Sequence, residues 1–62
     1  MTRATYELLL GALMSNRIAL GHAADAAERH YDLLLVGRLA GESQLNALAI
    51  DALKAEFQGV AA

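Results

Sequence analysis

From Ser43 to Val60 the apolar residues return at a helical period, and no other stretch restricts the fold as strongly. Advancing 100° per residue gathers Leu45, Leu48, Ala49, Ala52, Leu53, Phe57 and Val60 on one broad face. Gln44, Asp51, Lys54 and Gln58 fall on the other. The pattern predicts an amphipathic helix over about 43–58, with Ser43 as N-cap and Gly59 in the left-handed turn that ends it. Asp51 and Lys54 are spaced to pair at its surface.

The chain upstream reads as helix as well. It has no proline, and its 56% apolar content lies mostly in alanine and leucine. A first helix is expected over about 4–20, capped by Thr2 or Thr5, with Glu7 near its positive end. A second is expected over about 23–39, after a break at Gly21, with Asp25 and Arg29 spaced for a salt bridge. Leu33–Val36 is the one segment with a strand-like composition, but four residues with no alternation and no partner strand cannot build a sheet. Gly37 and Gly41 then punctuate the chain before Ser43. Few residues are left there for a connection, so the second and third helices should fold back on each other. The fold class expected is all-α: a small antiparallel helical hairpin or three-helix unit, forming one domain over residues 1–62. In its core Leu45, Leu48, Leu53 and Phe57 would pack against Ala27, Tyr31, Leu34 and Leu35.

A chain of 62 residues builds only a thin core. Without cysteine it has no disulfide or thiolate metal site to reinforce that core. Helix packing and association with another chain are the remaining sources of stability, so a helical-bundle homo-oligomer is expected, with a dimer the simplest form. The first helix directs attention to itself. Tyr6, Leu9, Leu10 and Leu13 lie toward one side, yet Met14 and Ile18 point elsewhere, and neighbours on one side alone would leave large apolar groups in water. The expected interface is therefore Tyr6, Leu9, Leu10, Gly11, Leu13, Met14, Ser15 and Ile18, covered by a second copy or by a different protein bound along the same helix. Gly11 and Ser15, four apart, either permit close approach there or are simply tolerated in a helix. Two polar residues, His30 and Glu56, fall among apolar neighbours and are expected at a buried junction.

Catalytic patterns are thin. Neither a phosphate-binding glycine loop, a dinucleotide fingerprint nor an H-E-x-x-H pair occurs, and His22 and His30 are too far apart along one helix to share an ion. No catalytic residue, cofactor site or metal site is assigned, and the function expected is a non-enzymatic interaction module or small regulatory subunit. Two alternatives stand beside it. One is a helix-turn-helix regulator over Asn16–Leu34, with its turn at Leu20–His22. Its recognition helix would open on Ala23, Ala24, Asp25, Ala26 and Ala27, which lack the usual base-reading side chains. The other is a metal-carboxylate bundle in which Glu7, Glu56 and His30 of several chains converge. The net charge of −2 and the scattered Arg3, Arg17, Arg29 and Arg38 give no basic stripe, so no nucleic acid is expected. No uncharged run approaches the length of a membrane span, and Glu7 and Arg17 fit poorly in a secretory leader, which makes the cytoplasm the expected location. These electrostatics predict no micromolar affinity for random duplex DNA at low salt; strong retention that falls steeply with added salt in a filter-binding titration would contradict them.

Overall fold

The computed structural model describes residues 1–61, with side chains described as far as Gly59. It contains two long helices, α1 (Arg3–Arg29) and α2 (Leu33–Ala61), folded back on each other across His30, Tyr31 and Asp32. The all-α antiparallel hairpin is thus the observed fold, and Leu33–Val36 is helical. The division into three helices is not observed. Neither Gly21, Gly37 nor Gly41 interrupts a helix, Ser43 and Gly59 lie inside α2 instead of capping it, and no described glycine has positive φ.

One seam explains why the helices run through those glycines. The buried and half-buried residues Tyr6, Leu10, Leu13, Leu20, Ala24 and Ala27 of α1 follow one another at alternating steps of four and three once Arg17 is included. On α2 the same rhythm runs through Val36, Leu39, Asn46, Ile50, Leu53 and Phe57, with Ser43 completing it. This is the heptad spacing of a two-stranded coiled coil, in which an apolar stripe stays turned toward a facing helix along its whole length. The turn, the Tyr6–Phe57 ring stack and the hydrogen bond between Asn16 and Asn46 fix the register. Leu10 stands level with Leu53, Leu13 with Ile50, Arg17 with Asn46, and Ala27 with Val36. A break at Gly21 or Gly41 would discard half of these layers, whereas a glycine inside a helix costs only about 1 kcal/mol relative to alanine. A Cβ added at any of the glycines would meet open space, so Gly11 mediates no close approach within the chain.

The seam also corrects the expected core. Leu53 and Phe57 do face α1, and Ala27 is buried. Leu45 and Leu48 are instead 63% and 57% exposed, and Tyr31, Leu34 and Leu35 are exposed too. The stripe that packs lies roughly a quarter turn around α2 from the face read out of its composition. Val60, assigned to that face, lies outside the described side chains. The result is a thin core: among the described residues Ala27, Ile50 and Leu53 are the buried apolar ones, and no large side chain is fully buried. The Cα envelope measures 47 × 16 × 9 Å, an extended slab.

Both ends of α1 and the start of α2 are satisfied locally. Thr2 caps α1 as expected, its Oγ1 accepting from the Thr5 amide at 3.1 Å. At the other end of α1, the Tyr31 amide donates to the Glu28 carbonyl and the Asp32 amide to the Ala27 carbonyl, each at 3.0 Å. That paired arrangement is a Schellman closure, which needs a left-handed residue one place beyond the C-cap. Tyr31 occupies that place with φ 56°. Asp32 then starts α2, its Oδ1 accepting from the Leu35 amide at 3.2 Å. Among the described residues the only ion pair is Arg3–Glu7, fully at the surface; the pairs expected at Asp25–Arg29 and Asp51–Lys54 do not form.

A bulky side chain in the left-handed region costs about 1 kcal/mol, and Tyr31, 87% exposed, offers little packing in return. Tyr31→Gly should therefore raise stability by up to about 1 kcal/mol in urea unfolding, while Tyr31→Ala, which keeps a Cβ, should give no comparable gain.

Candidate interaction site

Charge divides the slab into two unlike sides. All of the charged side chains of α1, namely Arg3, Glu7, Arg17, Asp25, Glu28 and Arg29, fall within about a third of the helix circumference. Met14 and Gly21 lie within that sector and line an open groove together with Ala47, Asp51 and Lys54 of α2, which identifies this as the charged side of the hairpin. The groove opens where Arg17 and Ser43 interrupt the apolar seam and where Gly21 and Ala47 contribute little bulk.

The opposite side of α1 carries no charge. Thr5, Leu9, Ala12, Asn16, Ala19, Ala23 and Ala26 succeed one another there, again at steps of four and three. Beside them α2 presents Leu35, Arg38, Glu42, Leu45, Ala49, Ala52 and Glu56 at the same rhythm, all of them exposed. Leu34 and Leu48 continue the apolar surface onto the back of α2, at 90% and 57% exposure. These leucines leave apolar area in water beside Arg38, Glu42 and Glu56, and exposed apolar patches on a soluble protein ordinarily mark a contact site.

One buried polar group sits between the helices at the middle of the seam. Asn46 is 6% exposed, and its Nδ2 donates to the Leu13 carbonyl at 3.1 Å. Its Oδ1 accepts from Asn16 Nδ2 at 2.8 Å. Each side-chain atom of Asn46 therefore has a partner, so burial incurs little penalty. At the open end of the hairpin the Tyr6 and Phe57 rings stack with centroids 4.1 Å apart and planes 10° apart.

The residues expected to form one patch on the first helix are dispersed by this geometry. Tyr6, Leu10 and Leu13 are turned into the seam, Leu9 lies on the uncharged side, Met14 and Ile18 lie toward the charged side, and Gly11 and Ser15 lie on the back of α1. His30 and Glu56, expected to be buried, are both exposed. His30 belongs to the turn, and Glu56 stands off the seam because the buried stripe is rotated away from it. The buried polar residue is Asn46, for which a signal existed: it occupies a seam position in a heptad series that is apolar but for Ser43. The apolar residues of α2 that face outward, Leu34, Leu45 and Leu48, were assigned to the core because α2 is apolar on two opposite sides and composition alone does not choose between them.

The helix-turn-helix alternative loses its structural basis, since α1 passes without a turn through Leu20–His22. Among the described residues no three His, Asp or Glu side chains come close enough to hold a metal ion, and Glu7 and Glu56 lie at the end of the hairpin remote from His30. No helix of the described residues is long and apolar enough to cross a membrane. The chain matches no protein-family model, no curated protein and no solved structure.

The Asn46 geometry generates a pair of expected outcomes. Asn46→Asp removes the donor to the Leu13 carbonyl and buries a charge, so it should cost about 2–4 kcal/mol at neutral pH, with partial recovery as acid protonates the new carboxyl. Asn46→Leu should leave stability equal to or above that of the parent, as expected for a polar seam residue that specifies register at some cost. Urea unfolding of both variants at matched concentration measures the difference.

Proposed function

We propose that this protein is a non-enzymatic interaction module that works as a homodimer, two hairpins joined into a four-helix bundle through the sides on which α1 carries no charge. The observation that carries the reading is the pair of heptad series on α2: one, from Val36 to Phe57, is turned to α1, and another, which includes Leu35, Leu45, Ala49 and Ala52 beside the uncharged side of α1, remains exposed. A hairpin can close only one seam, so a second apolar series needs a second surface.

Energetics support the same conclusion. A core with three buried apolar residues is thin for a chain that must offset the entropy of ordering two long helices. Pairing two such slabs would bury Leu9, Leu35, Leu45 and the alanines between them. The Cα footprint of 47 × 16 Å is on the scale of the roughly 800 Å² per partner found in stable interfaces. The dimer then acts as a scaffold or regulatory subunit in the cytoplasm, with its charged sides turned outward to other proteins. A different protein bound on the uncharged side is the competing occupant.

Sedimentation equilibrium should give twice the 6.6 kDa chain mass across the micromolar range, and Leu45→Asp should weaken association at least about tenfold, since a charge would enter the desolvated centre. Circular dichroism on the same samples shows whether helicity falls with mass, as it would where folding and association are linked. A parent protein that sediments as a fully helical monomer at high micromolar concentration would refute the dimer.

A further inference from the structure

We propose that the two hairpins pair with their turns at opposite ends, about a two-fold axis that crosses the helices at the level of Asn16, and that the pairing of Arg38 with Glu56 of the second copy selects this arrangement. The inference rests on the dimeric reading above and adds its orientation and register.

Two slabs joined face to face by a two-fold axis have two solutions. With the axis along the helices, α1 lies over α2 of the second copy and both turns share one end. With the axis across the helices, α1 lies antiparallel over α1 and α2 antiparallel over α2, and the turns are at opposite ends. Both give antiparallel neighbours throughout, so helix dipoles do not discriminate between them. Charge does. Arg38, Glu42 and Glu56 are the charged residues of α2 on the otherwise uncharged side, and α1 contributes none there. In the first solution each of them rests against the apolar stripe of α1, with no partner of opposite sign on the second copy. In the second, Arg38 meets Glu56 of the other copy, and the isologous relation forms the pair twice.

Setting Arg38 opposite Glu56 fixes the register, because the axis must pass midway between them, at Ala47. The layers within the hairpin put Asn16 at that same level on α1. Independent features of the surface then agree with one another. Leu45 lies over Ala49, and Leu9 lies over Ala23, so large residues meet small ones on both helices, as interdigitation requires. Asn16 meets its own symmetry mate on the axis. Its Nδ2 already donates to Asn46 Oδ1, leaving its Oδ1 and second amide hydrogen free to exchange hydrogen bonds with the other copy. The buried Asn46 thus orients the asparagine that meets its twin, and a slip in register would place an amide against alanine.

A spin label on a His30→Cys variant, changed at an exposed turn position, reads the orientation in the full chain. Turns at opposite ends predict a distance between labels on the order of 40 Å, the length of a helix the size of α1, whereas turns at one end predict less than about 20 Å. A short distance in a species of dimer mass overturns the orientation while leaving the dimer intact; monomer mass with no dipolar coupling overturns the dimer itself. The charge pair has its own test. Arg38→Glu should weaken dimerisation roughly two- to thirtyfold through two surface pairs, and adding Glu56→Arg should restore it. An Arg38→Glu protein that dimerises like the parent overturns the register.

Discussion

Two helices can share only one seam. Every other property of this chain follows from that limit, because each helix in a hairpin leaves most of its circumference facing away from its partner, whatever residues lie there. The seam here has a polar interruption, with Arg17 and Ser43 exposed and Asn46 buried near its midpoint. Leucines stand outside it instead, at Leu8, Leu34, Leu45 and Leu48. A sequence selected only to hold a hairpin together would have the opposite distribution. The observed one gives up intramolecular burial and retains outward apolar surface, the distribution expected of a subunit whose stability is completed by association.

The same limit decides which parts of the fold could be read from the residues. Helix throughout was legible, since no proline interrupts the chain and the apolar period holds from end to end. The position of the turn was not, because glycine was read as punctuation. A glycine in a helix loses about 1 kcal/mol, but moving the turn to Gly21 or Gly41 would shorten the seam by several layers, each contributing more than that through apolar burial. The signal that marks the true turn is Asp32, an N-cap residue directly before the run Leu33–Val36. It was masked by Tyr31, since the left-handed position of a helix closure ordinarily carries glycine or asparagine.

The exposed apolar surface was legible only in part, for a related reason. The need for a second surface can be inferred from apolar residues that exceed what one partner helix can cover, and that inference selected α1. On α1 the charges are confined to one sector, so its uncharged side is well defined once the helix is known to be continuous. On α2 apolar residues occupy opposite sides, and the phase of the packed stripe depends on which positions stand level with Leu10, Leu13 and Leu20. That is information about register between two helices, and the periodicity of one helix does not contain it.

Asn46 shows why register has to be specified at all. Alanine-rich and leucine-rich seams slide easily, since every heptad step presents a similar surface, and an apolar series alone leaves several pairings close in energy. A single buried amide breaks that degeneracy. In the observed register Asn46 reaches both the Leu13 carbonyl and Asn16, and all of its polar atoms are satisfied. Shifted by one turn, the same amide would face apolar side chains with its donors and acceptor unpaired, at about 1–3 kcal/mol for each group. The stability given up by placing asparagine where leucine would pack is therefore smaller than the gap it opens against misaligned hairpins. Because the constraint is delivered through Asn16, a residue at the surface of the uncharged side, alignment within the hairpin also sets the position of the polar group that a second hairpin would meet.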